Sequence, residues 1–128
     1  MALEKSIELS GCSLKPALND RKLITSAEAG ELMALFKVMA NDTRLRLLHA
    51  LARSGELCVT ELAAAVGMKP QAVSNQLQRL VDRGILRARR DGNNIHYRIV
   101  DPCVLRLLEL GLCLIEEAEQ RAAGNEKC

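Results

Sequence analysis

Aromatic side chains are nearly absent. The 128 residues hold one Phe, one Tyr and no Trp. A core without rings must be filled by Leu, Ala, Val, Ile and Met, which suits packed helices better than a large sandwich. No stretch reaches the ~18 consecutive apolar residues of a membrane span. The N-terminus, MALEKSIEL, lacks a basic region followed by a long apolar run. A cytoplasmic location without membrane contact is therefore expected. There is no Gly-rich phosphate loop, no nucleophile motif and no His–carboxylate constellation, so an enzyme is not expected. Only two histidines occur, His49 and His96. His49 is expected to pack on its helix and His96 to face solvent or a ligand; neither falls on a metal pattern.

The length favours one domain, with a core too small to be generous. Formal net charge is only +2, but its distribution is uneven. Between Lys69 and Arg98 the basic residues are Lys69, Arg79, Arg83, Arg87, Arg89, Arg90 and Arg98, against the acids Asp82 and Asp91. The segment from Glu109 to Glu126 is acid-rich. Such asymmetry is a candidate nucleic-acid footprint.

Residues 1–24 show no firm period and read as a mobile arm with room for a short helix. Residues 25–123 read as the folded domain and 124–128 as a tail. Thr25-Ser26-Ala27-Glu28 has capping-box spacing. Behind it Leu32, Leu35, Phe36 and Met39 recur at helical spacing. Asn41-Asp42 ends that helix and caps a second, about Thr43 to Arg53, with Leu45, Leu48 and Leu51 on one side. Cys58-Val59 reads as a short extended link. Thr60 is expected to cap a third helix, Glu61 to Val66, which Gly67 ends. Pro70 suits the first turn of a fourth, which closes at Gly84.

The period then changes from helical to alternating. Ile85 to Arg90 and Asn94 to Val100 read as two strands joined at Asp91-Gly92-Asn93. Asp101-Pro102 opens a last helix running to about Ala123. A short helix, a tight turn, a second helix and a two-stranded finger make a winged helix-turn-helix. The fold class expected is mainly α with a β-hairpin wing, homodimeric.

The fourth helix turns Val73, Leu77, Leu80 and Val81 inward. Outward it shows Gln71, Ser74, Asn75 and Gln78, spaced i, i+3, i+4, i+7 on one face. Amides and hydroxyls there suit base edges in the major groove of double-stranded DNA. A merely solvated face would be rich in Glu and Lys, and this one has no Glu. Lys69, Arg79 and Arg83 suit phosphates. Arg87, Arg89 and Arg90 precede the wing turn, and Asn93, Asn94 and His96 follow it, as a finger along a minor groove or backbone requires.

The segments LFKVMANDTRLRLLHAL, GELCVTELAAAVGMKPQAVSNQLQRLVDRGIL and RRDGNNIHYRIVD, followed by a long last helix, resemble the ArsR/SmtB family of bacterial metalloregulatory repressors. The resemblance covers about residues 30 to 120. It implies a homodimer built on the first and last helices, bound to operator DNA and released by an inducer. The last helix points the same way on its own. Val104, Leu105, Leu107, Leu108, Leu110, Leu112, Leu114 and Ile115 cover more than one face, and such a helix must be buried on several sides.

The five cysteines suit a soft inducer, Cd, Pb, Hg, Zn or As(III), better than structural disulfides. Two arrangements stay open. In one, implied by the resemblance, Cys58 of the ELCV element joins Cys12 of the other subunit's arm; Thr60 stands where relatives have a second Cys. In the other, also implied by the resemblance, the last helices pair antiparallel. Asp101 and Glu117 match carboxylate ligands, Cys103 stands at a His position, and Cys113 is next to Leu114, which replaces a second His. Cys103 and Cys113 lie about 15 Å apart along one helix, so they would meet only between chains. A redox or sulfide sensor is the alternative. Relatives of that kind pair cysteines on the second and last helices, and here the second-helix position is His49.

Overall fold

The structure is a computed structural model that describes residues 15–124. Cys12 and Cys128, and with them the arm arrangement of Cys12 and Cys58, lie outside the described residues. Within the described part of the arm, Leu18–Asp20 forms one 3-10 turn. Five α-helices and three short strands follow: α1 (Ser26–Met39), α2 (Asp42–Ser54), β1 (Leu57–Cys58), α3 (Val59–Val66), α4 (Pro70–Asp82), β2 (Leu86–Asp91), β3 (Asn94–Ile99) and α5 (Pro102–Ala122).

The helix starts follow local chemistry. Thr25 Oγ1 accepts the Glu28 N–H at 3.1 Å, and Glu28 Oε1 accepts the Thr25 N–H at 2.9 Å. That reciprocal pair satisfies two donors the helix itself leaves open. Asn41 caps α2 by accepting the Arg44 N–H at 3.0 Å. Asp101 caps α5 by accepting the Cys103 N–H at 2.9 Å. One expected cap is different. Cys58, not Thr60, precedes the first turn of α3, and Glu61 Oε1 accepts the Cys58 N–H at 2.9 Å. Carboxylate reach decides this, because Glu61 lies three residues beyond Cys58.

The core sits between α2, α3 and α4. Leu47, Leu48 and Leu51 of α2, Leu62 of α3, and Val73, Leu77 and Leu80 of α4 have essentially no solvent exposure. Each such side chain stabilises the fold by about 1.5–3 kcal/mol. The inner side of α2 is Leu47, Leu48 and Leu51, whereas Leu45 is exposed. His49 is exposed too, not packed; the core-facing stripe of α2 passes through Leu47, Leu48 and Leu51 and leaves it outside.

Two glycines set the turns on either side of α4. Gly67 takes φ +69. Its N–H reaches Ala64 O at 3.3 Å, and the Met68 N–H reaches Ala63 O at 3.0 Å. This doubly bonded left-handed end turns the chain sharply from α3, and Pro70 starts α4 in its first turn. Gly84, φ +85, repeats the device at the end of α4, where the Ile85 N–H reaches Leu80 O at 3.0 Å.

The sheet has one strand more than the hairpin expected from sequence. Its order is β1-β3-β2, antiparallel throughout. Leu57 pairs with Tyr97 and Cys58 with His96. The link expected at Cys58-Val59 is thus split: Cys58 ends a strand and Val59 starts a helix.

Candidate nucleic-acid interface and thiol site

Helix α4 presents the face expected of it. Gln71, Asn75, Gln78 and Arg79 are exposed, and Ser74 is half-buried. Gln71 Nε2 donates to Asn75 Oδ1 at 3.3 Å, and Gln78 Nε2 donates to Asp82 Oδ1 at 2.8 Å. These i, i+4 bonds hold the amides along the helix, where they read as a row of donors and acceptors. Lys69 lies exposed just ahead of α4, and Arg83 just after it donates to Glu31 O of α1 at 3.4 Å.

In the wing, register sorts the basic residues by face, since strand side chains alternate. Arg87 pairs with Arg98, Arg89 with His96, and Asp91 with Asn94. Cys58 joins that row through His96. Arg87, Arg89, Arg98 and His96 therefore share one face. Arg90 pairs with Ile95 on the opposite face, which carries Leu86 and Tyr97 of the core, but it is exposed near the tip. Asn93 and Asn94 are exposed at the turn. Arg98 is a basic residue of this face that the sequence reading did not single out as a contact; alternation from His96 was the signal for it.

Arg89 is already engaged. Its Nη2 lies 3.0 Å from Glu56 Oε1 and its Nε 3.3 Å from Oε2. The guanidinium holds the Glu56 carboxyl below the usual carboxylate value. Glu61 is lowered as well, by hydrogen bonds first from the Cys58 backbone and then from its side chain.

The thiols lie in two places. Cys58 is half-buried at the base of the wing, with Sγ 3.2 Å from Thr60 Oγ1. Cys103 and Cys113 are half-buried on α5. Cys103 is disulfide-bonded in this structure, so a ligand role for it belongs to the reduced protein. It borders a cleft of about 290 Å³ that also touches Arg83 and Gly84, at the end of α4. Glu117 lies one turn beyond Cys113 on the same face of α5. Among the described residues, its Oε1 is buried with no hydrogen-bond partner. Asp101 is exposed and spends Oδ1 on its cap. No group of three or more His, Cys, Asp and Glu among the described residues gathers closely enough to hold a metal ion. The described residues of one chain do not bring such a group together.

The apolar surface of the chain is equally incomplete. On α1, Met33 and Phe36 are about half exposed; on α5, Leu110, Leu112, Leu114 and Ile115 are at least half exposed. Between α1, α2 and α5 runs an open groove of about 520 Å³ lined by Phe36, Leu107, Leu108, Leu112 and Ile115 among others. Of the residues at helical spacing on α1, Met39 is buried, whereas Leu32 and Phe36 are exposed in the single chain.

A core-anchored helix with an amide-rich outer face, entered by a left-handed turn and flanked by a basic hairpin, defines a winged helix-turn-helix regulator that binds DNA. Residues 41–88 match the family described as bacterial regulatory protein, arsR family. The chain belongs to the ArsR family, whose proteins regulate transcription and are not enzymes. It is 41% identical over 80 residues to the transcriptional repressor SmtB homolog of Synechocystis sp., a stretch covering 62% of this chain and 60% of that protein. The crystal structure of the AntR antimony-specific transcriptional repressor is 87% identical, with a TM-score of 0.73, over 85% of this chain and 98% of that one. A homodimeric winged helix-turn-helix DNA-binding domain from Mycobacterium bovis, solved in solution, is 32% identical, with a TM-score of 0.65, over 79% of this chain and 95% of that one. No helix among the described residues is long and apolar enough to cross a membrane.

Proposed function

We propose that this chain is a homodimeric repressor that leaves its operator when a thiophilic ion binds thiolates of the two α5 helices. The observation that carries this reading is on α5. Cys113 and Glu117, whose Oε1 has no hydrogen-bond partner among the described residues, share a face of a helix whose apolar surface is largely exposed among those residues. A second copy, packed through α1 and α5, covers that surface. If the two α5 helices run antiparallel, Cys103 of one chain is brought toward Cys113 of the other. Thiolates suit soft ions, and the Glu117 carboxylate adds an oxygen donor. Asp101 is a weaker candidate because it caps α5. The named relatives favour a metal or metalloid over an oxidant. The AntR likeness adds antimony, as Sb(III), to the expected Cd, Pb, Hg, Zn and As(III). Sb(III) and As(III) share trivalency and thiophilicity.

The DNA side uses Gln71, Ser74, Asn75 and Gln78 for bases. Lys69, Arg79 and the wing residues Arg87, Arg89, Arg90, Asn93, Asn94 and His96 serve the backbone or minor groove, with Arg98 beside them. Cys58 is held in reserve as part of a second thiol site at the wing base, with Cys12 its expected partner.

Release follows from linkage. An inducer shifts the dimer only if it binds the low-affinity conformer better. The ion supplies a bridge between subunits. Cys103 borders the cleft at the end of α4, so a pull on the start of α5 reaches the recognition helix within one subunit and alters half-site spacing. The test is an anaerobic titration of the reduced protein on its DNA with antimonite, arsenite and Cd(II). Thiolate-to-metal absorption and DNA release should rise together, and both should be lost in Cys103→Ser and Cys113→Ser. Absorption without release, or neither, contradicts the reading.

A further inference from the structure

Arg44 is the buried charged residue of the described chain, with 9% of its surface exposed. It stands in the first turn of α2, yet it touches neither DNA-facing surface nor thiol. Its Nε donates to Val38 O at 2.6 Å, and its Nη1 donates to Gln76 Oε1 at 2.7 Å. Both acceptors are neutral. Val38 O belongs to the last turn of α1, where carbonyls have no partner within the helix and carry the negative end of its dipole. Gln76 is half-buried at the middle of α4, beside Asn75 of the DNA-facing row.

We infer that Arg44 and Gln76 are positioning residues that fix the recognition helix to the end of α1. Burying a guanidinium is costly unless its donors are used. Here two of them are spent on different helices. A planar, forked cation holds both acceptors in one geometry, which an ammonium does not. The strut therefore joins the helix proposed to dimerise, α1, to the helix proposed to read bases. Angle and spacing of the two α4 helices in a dimer depend on that join. This rests on the proposed DNA-binding, dimeric reading.

The test compares two duplexes: one selected by the wild-type protein from a random pool, and a scrambled duplex of the same composition. Arg44→Met and Gln76→Leu should lower affinity for the selected duplex by at least about tenfold, with the scrambled duplex changed by no more than about twofold, because phosphate contacts tolerate misorientation better than base contacts. Gln76→Glu, which keeps an acceptor for Arg44, should restore the ratio of the two affinities. If Arg44→Met does not fold, the Gln76 pair carries the test, since Arg44 then keeps its bond to Val38. An unchanged ratio in Gln76→Leu, or an equal loss on both duplexes, overturns the positioning role. A wild-type protein that selects no duplex overturns the DNA-binding reading itself, and the positioning role with it.

Discussion

Glu56 and Arg89, separated by 33 positions, form a two-point ion pair at the base of the wing, 3.0 and 3.3 Å long. It ties the residue just ahead of β1 to the middle of β2. Both side chains are partly exposed, so the pair is worth little to stability. Its consequence lies in the proposed DNA binding, where a guanidinium that faces Glu56 would be shared between that carboxylate and a phosphate.

Glu56→Gln should free Arg89 and tighten binding to any duplex a few-fold. If Arg89 then gains a full phosphate contact, the slope of log affinity against log salt steepens by up to about 0.9. An unchanged slope shows that Arg89 does not reach the backbone. The pair also has a defined pH dependence. Glu56 is lowered from its ordinary 4.5 by Arg89, so the unfolded state takes up its proton first as pH falls. The pair's contribution is complete above 4.5 and disappears as pH drops through the lowered folded value. Arg89→Met should return the Glu56 titration, followed by carboxyl NMR shifts, toward its ordinary position.

Gly67→Ala should destabilise the chain by about 1–2 kcal/mol, the usual penalty for a side chain in the left-handed region. Nothing lies within 4 Å of an added Cβ there, so the cost is conformational and not steric. Urea denaturation measures it. If stability is unchanged, the turn between α3 and α4 relaxes without that conformation.

Leu114→Lys and Ile115→Lys should shift the protein from dimer to monomer in sedimentation and leave monomer folding nearly intact. Both positions are more than half exposed in the single chain, so a charge there meets water unless a partner covers it. A dimer that persists in both variants rules out α5 as its seam.

Much of this was legible because it is local. Thr25 and Glu28, Gly67 and Pro70, and the turn at Gly92 each announce an element through neighbours a few residues away. What was not legible is long-range or too short to have a period. Leu57–Cys58 is a two-residue strand, and only its pairing with β3 reveals it. Arg44 sits in a helix start like many others; its acceptor on Gln76 lies 32 residues away. Spacing marked Leu32 and Phe36 as apolar stripe residues, but a stripe does not say whether its own chain or another covers it. The same limit applies to the thiols. Cys103 and Cys113 are recognisable as candidate soft ligands by their chemistry, while the identity of the ion has no local signature at all.

The most direct test of the central claim mixes two variants. Cys103→Ser and Cys113→Ser homodimers each lack both cross-subunit thiolate pairs. A heterodimer with one subunit of each kind retains one whole pair: Cys103 from the Cys113→Ser subunit and Cys113 from the Cys103→Ser subunit. Antimonite titration of the reduced, DNA-bound heterodimer, purified with two affinity tags, should restore thiolate absorption at half the wild-type amplitude, together with DNA release. A heterodimer as silent as its parent homodimers would contradict a site shared between subunits.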